Sequence, residues 1–150
     1  MCERFARTGD FDVMMLAGRY TLLEQGALDG FLALAVEKRI GVLFAGVFNS
    51  GILATGPVPG APYNYRPAPP EIIERARRIE AVCRAHHVPL AHAALRFALA
   101  HPAAISVVLG AVTPAEVERN VAGLDAAIPS GLWRDLKAER LLVAHAPTPN

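Results

Sequence analysis

Two stretches of this chain combine residue types and spacing that suit the binding of an anion. The first is Leu109-Gly110-Ala111-Val112-Thr113-Pro114, an apolar run that turns through glycine directly into a helix start. Thr113 stands as N-cap, Pro114 at the first helical position and Glu116 three residues past the cap, the arrangement of a capping box. A helix that begins there aims backbone amides and the positive end of its dipole at whatever precedes it, and a phosphate is the usual occupant. Taken alone, the same pattern also describes an ordinary strand-to-helix turn with a good cap. The second stretch is Phe48-Asn49-Ser50-Gly51, which follows the apolar run Gly41 to Val47. If both runs are parallel strands, both stretches lie at the C-terminal edge of one sheet, where barrel folds hold their ligands. Individually, Asn49 and Ser50 also read as a turn pair and Phe48 as a core residue.

Other chemistry-bearing residues offer less. His86, His87, His92, His101 and His145 form no HExxH pattern, and no metal site is expected from them. Cys83 falls on an apolar helical face and reads as core. Cys2 and Cys83 make neither CxxC nor zinc spacing, so a reducing compartment, the cytoplasm, is the expected location. Asn49-Ser50-Gly51 lacks the GxSxG elbow of a serine nucleophile. Tyr63 and Tyr65 sit in a Pro-rich stretch, where they either line a pocket or pack the loop down.

The elements that must position these residues follow from periodicity. Asp12 to Ala17 is a nearly continuous apolar run that reads as a strand buried on both faces. Leu28, Phe31, Leu32, Ala35 and Val36 recur at helical spacing, and Glu37-Lys38-Arg39 closes that helix. The second strand, Gly41 to Val47, begins about 30 residues after the first, the repeat of a strand-helix-strand unit. Gly51 to Pro70 is so rich in Gly and Pro that a long functional loop without regular structure is predicted. Helices follow at Ile72 to Cys83 and at Pro89 to Ala100, then a third buried strand at Ile105 to Leu109. The capped helix runs through Leu124, a last helix starts near Ser130, and the tail from Ala144 to Asn150 is expected to fray. This alternation specifies an α/β protein with a parallel sheet, but three strands cannot close a barrel.

Composition limits the partners. With 15 basic and 14 acidic residues in 150, the formal net charge is +1, which leaves no electrostatic footprint for nucleic acid or an anionic membrane. No apolar run is long enough to span a bilayer, and the N-terminus lacks the apolar core of a signal peptide. The 53% hydrophobic content suits elements buried on more than one face.

Four segments in order carry a resemblance to a known family. They are Phe11-Asp12-Val13 leading to Gly18-Arg19-Tyr20-Thr21-Leu22-Leu23, then Phe48-Asn49-Ser50-Gly51-Ile52-Leu53, then Tyr65-Arg66-Pro67-Ala68-Pro69-Pro70, then Gly110-Ala111 through Asn120. Together they resemble the aldo-keto reductases, most of all the sugar-oxidising branch of the D-threo-aldose 1-dehydrogenase or L-fucose dehydrogenase type. The resemblance covers nearly the whole chain. It implies that residues 1–150 form part of one such domain, with the sixth to eighth strands and their helices from a (β/α)8 TIM barrel that this chain leaves incomplete.

By position, the resemblance implies that Val47, Phe48, Asn49, Ser50 and Gly51, with Gly110, Ala111, Val112, Glu116, Arg119 and Asn120, hold the pyrophosphate and adenosine of NAD or NADP. Asn120 would contact the adenine. NADP-preferring relatives often carry basic residues where this chain has Gly110 and Glu116, so NAD is the expected preference, with Arg119 the one nearby cation for a 2′-phosphate. The chain departs from the family at Ala45, where many relatives stack an aromatic ring on nicotinamide, and on the first strand, where only Met, Leu or Ala stands in place of a glutamine. The family's catalytic Asp, Tyr, Lys and His belong to the second to fourth strands, so no catalytic residue is expected here, and Tyr20, Tyr63 and Tyr65 do not take the proton donor's place.

The implied role is that of an oxidoreductase fragment. Its full-length relative would transfer a hydride between NAD(P) and a sugar hemiacetal or carbonyl. Two alternatives are a non-catalytic nucleotide-binding half-barrel and a partner that completes another chain's barrel. Self-association through unpaired sheet edges is a further expectation.

Overall fold

A computed structural model describes residues 1–149. It opens on a helix that periodicity did not reveal, α1 (Cys2–Thr8). Glu3 and Arg7 pair across one turn at 2.8 Å, and Ala6 is its one buried side chain. Strand β1 (Val13–Ala17) follows, and then a helix that starts as a π-turn over Leu28–Leu32 and continues as α2 (Ala33–Glu37). Leu28, Phe31, Leu32 and Ala35 are buried as their spacing predicts, whereas Val36 is exposed. Gly30 faces α1, where a Cβ would stand 2.8 Å from the end of the flexible Glu3 side chain.

β2 (Gly41–Ala45) pairs in parallel with β1, Val13 opposite Gly41 through Ala17 opposite Ala45. The segment predicted to lack regular structure holds three short elements instead: α3 (Ile52–Thr55) and a two-stranded hairpin of β3 (Pro62–Tyr63) and β4 (Arg66–Pro67). Two-residue strands are too short to show any alternation, so composition alone could not disclose them. Helices α4 (Pro70–Ala85) and α5 (Leu90–Leu99) lead to β5 (Ala104–Val108), which pairs in parallel with β2 and gives the sheet order β1-β2-β5. α6 (Pro114–Leu124) and α7 (Ser130–Ala138) complete the order.

The helices cover one face of this sheet. Leu16, Val42 and Phe44 point into that core, where Tyr20 stacks on Phe97 at 4.8 Å and tilts against Phe44 at 5.2 Å. The opposite face is open, which corrects the expectation of strands buried on both sides. Leu16 is the only buried residue of β1 and β5 has none. Met15 is 51% exposed and Ile105 is 55% exposed.

The end of the chain is also more ordered than expected. Leu141, Leu142 and Ala146 are buried, and Arg75 donates to the Leu141 carbonyl at 2.8 Å. The Val143 N–H donates to Gln25 Oε1, and His145 lies 2.9 Å from the Asp29 carboxylate. Asn150, the last residue of the predicted tail, lies outside the described residues. Among the described residues no helix is long and apolar enough to cross a membrane.

Candidate cofactor cleft

All three parallel strands end at one edge, and the chain turns sharply there. Gly18 and Gly46 both take left-handed backbone angles, with φ of +64° and +62°, and the Gly18 N–H donates to the Ala45 carbonyl at 2.8 Å. A Cβ on Gly46 would approach the Gly18 nitrogen to 3.3 Å, so glycine permits this close passage. Beyond this edge lies a cleft of about 800 Å³. One wall comes from the segment after β2: Val47, Phe48, Ser50 and Gly51. The other comes from the segment after β5 and the first turns of α6: Gly110, Glu116, Arg119 and Asn120.

Those eight lining residues are all among the eleven that the sequence singled out. The remaining three stand apart. Ala111 and Val112 are exposed on the turn before α6. Asn49 is buried, 2% exposed, with φ of +47°, and neither its Oδ1 nor its Nδ2 has a hydrogen-bond partner among the described residues. A buried amide without partners forfeits about 1–3 kcal/mol, and Asn49 lies behind the wall and does not line the cleft.

The position of α6 fixes the second wall. Gly123 allows it to lie against α5, because a Cβ there would meet Leu95 at 2.8 Å and His92 at 3.0 Å. At its C-terminal end Arg96 donates to the Leu124 carbonyl at 2.6 Å, a cation placed at the negative end of the helix dipole. At its start the Thr113 hydroxyl accepts the Glu116 N–H at 3.3 Å, as the capping box predicts. The reciprocal bond differs from that pattern. Glu116 Oε2 accepts from the Val112 N–H at 2.9 Å, one residue before the cap. The positive end of α6 therefore already holds a carboxylate, and it is not the set of free amides that sequence suggests. Arg119 makes no ion pair among the described residues.

Residues outside the two singled-out stretches also reach the cleft. Glu80 of α4, His92 near the start of α5, and Tyr65 of the hairpin all line it. Only Tyr65 carried a sequence signal, as an aromatic in a Pro-rich stretch. Glu80 and His92 sit on amphipathic helices where nothing local separates a cleft residue from a solvated one. The hairpin is secured by Tyr63, whose hydroxyl donates to Glu24 in the loop after β1. Burial and that carboxylate push the Tyr63 pKa up to about 12. Cys83, buried in the core, is likewise pushed up to about 12 by desolvation and then by Glu80, which makes it a poor nucleophile. Among the described residues no three His, Cys, Asp or Glu side chains converge as a metal site would require.

Comparisons with known proteins show the family and the fold. A sequence profile described as the aldo/keto reductase family matches residues 2–138. The chain is 43% identical over 147 residues to a D-threo-aldose 1-dehydrogenase of Pseudomonas sp, covering 97% of this chain and 44% of that protein. It is 41% identical over 133 residues to a pyridoxal 4-dehydrogenase of Microbacterium luteolum, covering 89% of this chain and 39% of that protein. The chain thus spans less than half the length of these curated relatives, and it corresponds to their C-terminal part. Among solved structures, an aldo-keto reductase from Bacillus halodurans in its holo form superposes with a TM-score of 0.69 at 23% identity, over 95% of this chain and 46% of that one. A glycerol dehydrogenase from Gluconobacter oxydans gives a TM-score of 0.64 at 16% identity, over 96% and 46%. The fold is accordingly a C-terminal portion of a TIM barrel, left open on the side where the rest of the sheet would lie.

Proposed function

Since the chain belongs to the aldo/keto reductase family, we propose that it forms the phosphate and adenosine side of a nicotinamide-cofactor site, within an oxidoreductase that acts on a small sugar hemiacetal or carbonyl. One observation carries this reading. Two stretches some 60 residues apart, each marked in the sequence for anion binding, form opposite walls of one cleft. A cleft of about 800 Å³ falls within the size range of small-molecule and cofactor sites. The unpaired guanidinium of Arg119, on the cleft wall, fits a ligand rich in hydroxyls and phosphates.

When bound, the cofactor supplies the hydride acceptor or donor. The chain's residues bind and orient it: Ser50 and Gly51 at the first wall, Arg119 facing the phosphates and Asn120 the adenine. No catalytic acid or base is assigned to this chain. The substrate class rests on the names of the two relatives, both dehydrogenases of small molecules.

Glu116 supports NAD over NADP. Its carboxylate, already at the start of α6, would repel a 2′-phosphate and accept a bond from a ribose hydroxyl. Titration with NADH and NADPH, followed by cofactor fluorescence, tests both points. NADH is expected to bind more tightly, Glu116→Lys to shift the preference toward NADPH, and Asn120→Ala to weaken NADH about fivefold by removing a hydrogen bond worth ~1 kcal/mol. Tighter NADPH binding by the native chain would overturn the NAD preference. No binding of either, by the chain alone or joined into a complete barrel, would overturn the cofactor reading.

A second reading, a half-barrel that binds nucleotide without catalysis or that completes another chain's barrel, is favoured by the open sheet face at Met15 and Ile105.

A further inference from the structure

The hairpin over the cleft contains a residue that the backbone does not favour. β3 and β4 are joined by Asn64 and Tyr65, with φ of +50° and +63°. Two-residue hairpin turns of this mirror-image kind need left-handed angles at both central positions, and Asn followed by Gly is the pair that meets the need at least strain. Asparagine occupies the first position, yet tyrosine stands at the second, where a bulky residue in the left-handed region costs on the order of 1 kcal/mol or more. Packing does not offset this, because Tyr65 is 96% exposed. The reading of Tyr65 as a residue that packs the loop down is therefore excluded.

Its backbone is nevertheless firmly held. The Tyr65 N–H donates to Ser50 Oγ at 3.0 Å, and the neighbouring Tyr63 hydroxyl donates to Glu24. The Ala68 N–H donates to the Ala61 carbonyl at 2.9 Å, closing the base of the hairpin. A fixed main chain thus carries a free aromatic side chain at a position that lines the cleft.

We infer that Tyr65 is a ligand-binding residue, whose ring stacks on a flat ring of a nucleotide lying in the cleft. This deepens the cofactor reading and rests on it. The bond to Ser50 links the two halves of the argument: the residue that lines the first wall also sets the position from which the tyrosine side chain extends. Stacking tolerates variation in the base, and removing one aromatic partner typically weakens binding of a nucleotide by roughly tenfold or more.

The test compares native chain, Tyr65→Phe and Tyr65→Gly in binding of NADH and of ADP-ribose, with thermal melting of each protein alongside. Tyr65→Gly relieves the backbone, so its Tm should be equal to or above that of the native chain while its affinity falls about tenfold. Tyr65→Phe keeps the ring and should bind as the native chain does. Opposite movements of stability and affinity are the signature, since a purely structural residue would lose both together. Native-like NADH and ADP-ribose affinity in Tyr65→Gly would overturn this inference and leave the cofactor reading standing. A native chain that binds neither probe, alone or joined into a complete barrel, would overturn both.

Discussion

His101 lies buried beside Tyr20 and Phe44, at ring distances of 5.2 and 6.0 Å, and its Nδ1 accepts the Ala103 N–H at 3.1 Å. Burial lowers its pKa below the ordinary 6.5. A proton on Nδ1 would both charge the core and remove that acceptor. Because the unfolded chain takes up the proton first, the stabilisation is complete above about pH 6.5 and is lost as the pH falls through the lowered folded value. Thermal melts from pH 7.5 to 4.5 should therefore show a decline that begins near the unfolded pKa and is flattened in His101→Asn, which retains an acceptor without a titrating ring. An unchanged slope in the variant would assign the acid sensitivity elsewhere. At this scale the sequence singled out Ser50, Arg119 and Asn120 by type and position, and all three line the cleft. It was uninformative where a role depends on what lies opposite, as with Glu80, His92 and the Glu116 bond to Val112.

At the scale of elements, the start of α6 joins stability to the site. Thr113→Ala removes the acceptor for the Glu116 N–H, and loss of such a cap costs ~1 kcal/mol. A denaturant titration should register that loss, and the same variant should weaken NADH because Glu116, Arg119 and Asn120 all sit on the helix the cap secures. Full stability with lost binding would mean that Thr113 touches the ligand itself. The helices were legible because long amphipathic periods and Pro114 at a first turn leave clear marks. α1 was missed because seven residues with one buried side chain carry almost no period. The hairpin was missed because the turn at Asn64 and Tyr65 defines it, and its two-residue strands do not.

For the whole molecule, the open sheet face is the dominant physical fact. Val13, Met15, Ile105 and Val108 are large apolar side chains about half exposed beside strand edges with unpaired backbone groups. Covering the exposed half of each would contribute ~1 kcal/mol per residue, ~4 kcal/mol for the four together, the scale of millimolar association. Sedimentation of the isolated chain should show concentration-dependent assembly, and the double substitution Met15→Glu with Ile105→Lys should reduce it without unfolding the helix-covered core. A monomer at all concentrations would mean that the face tolerates water. Sequence predicted these strands to be buried on both sides, since apolar composition records what a residue is suited to meet and not whether that partner lies within these 150 residues. The relatives, more than twice as long, place the explanation outside the described sheet.

The central claim is that the segments after β2 and β5 form one cofactor half-site. Amide resonances of the isotope-labelled chain, followed during titration with ADP-ribose, test it most directly, because that probe carries the adenosine and diphosphate without nicotinamide. The account predicts saturable shifts concentrated at residues 46–51, at Tyr65 and at residues 110–120. Shifts confined to other surfaces, or none at concentrations well above those of cofactor binding, would contradict it.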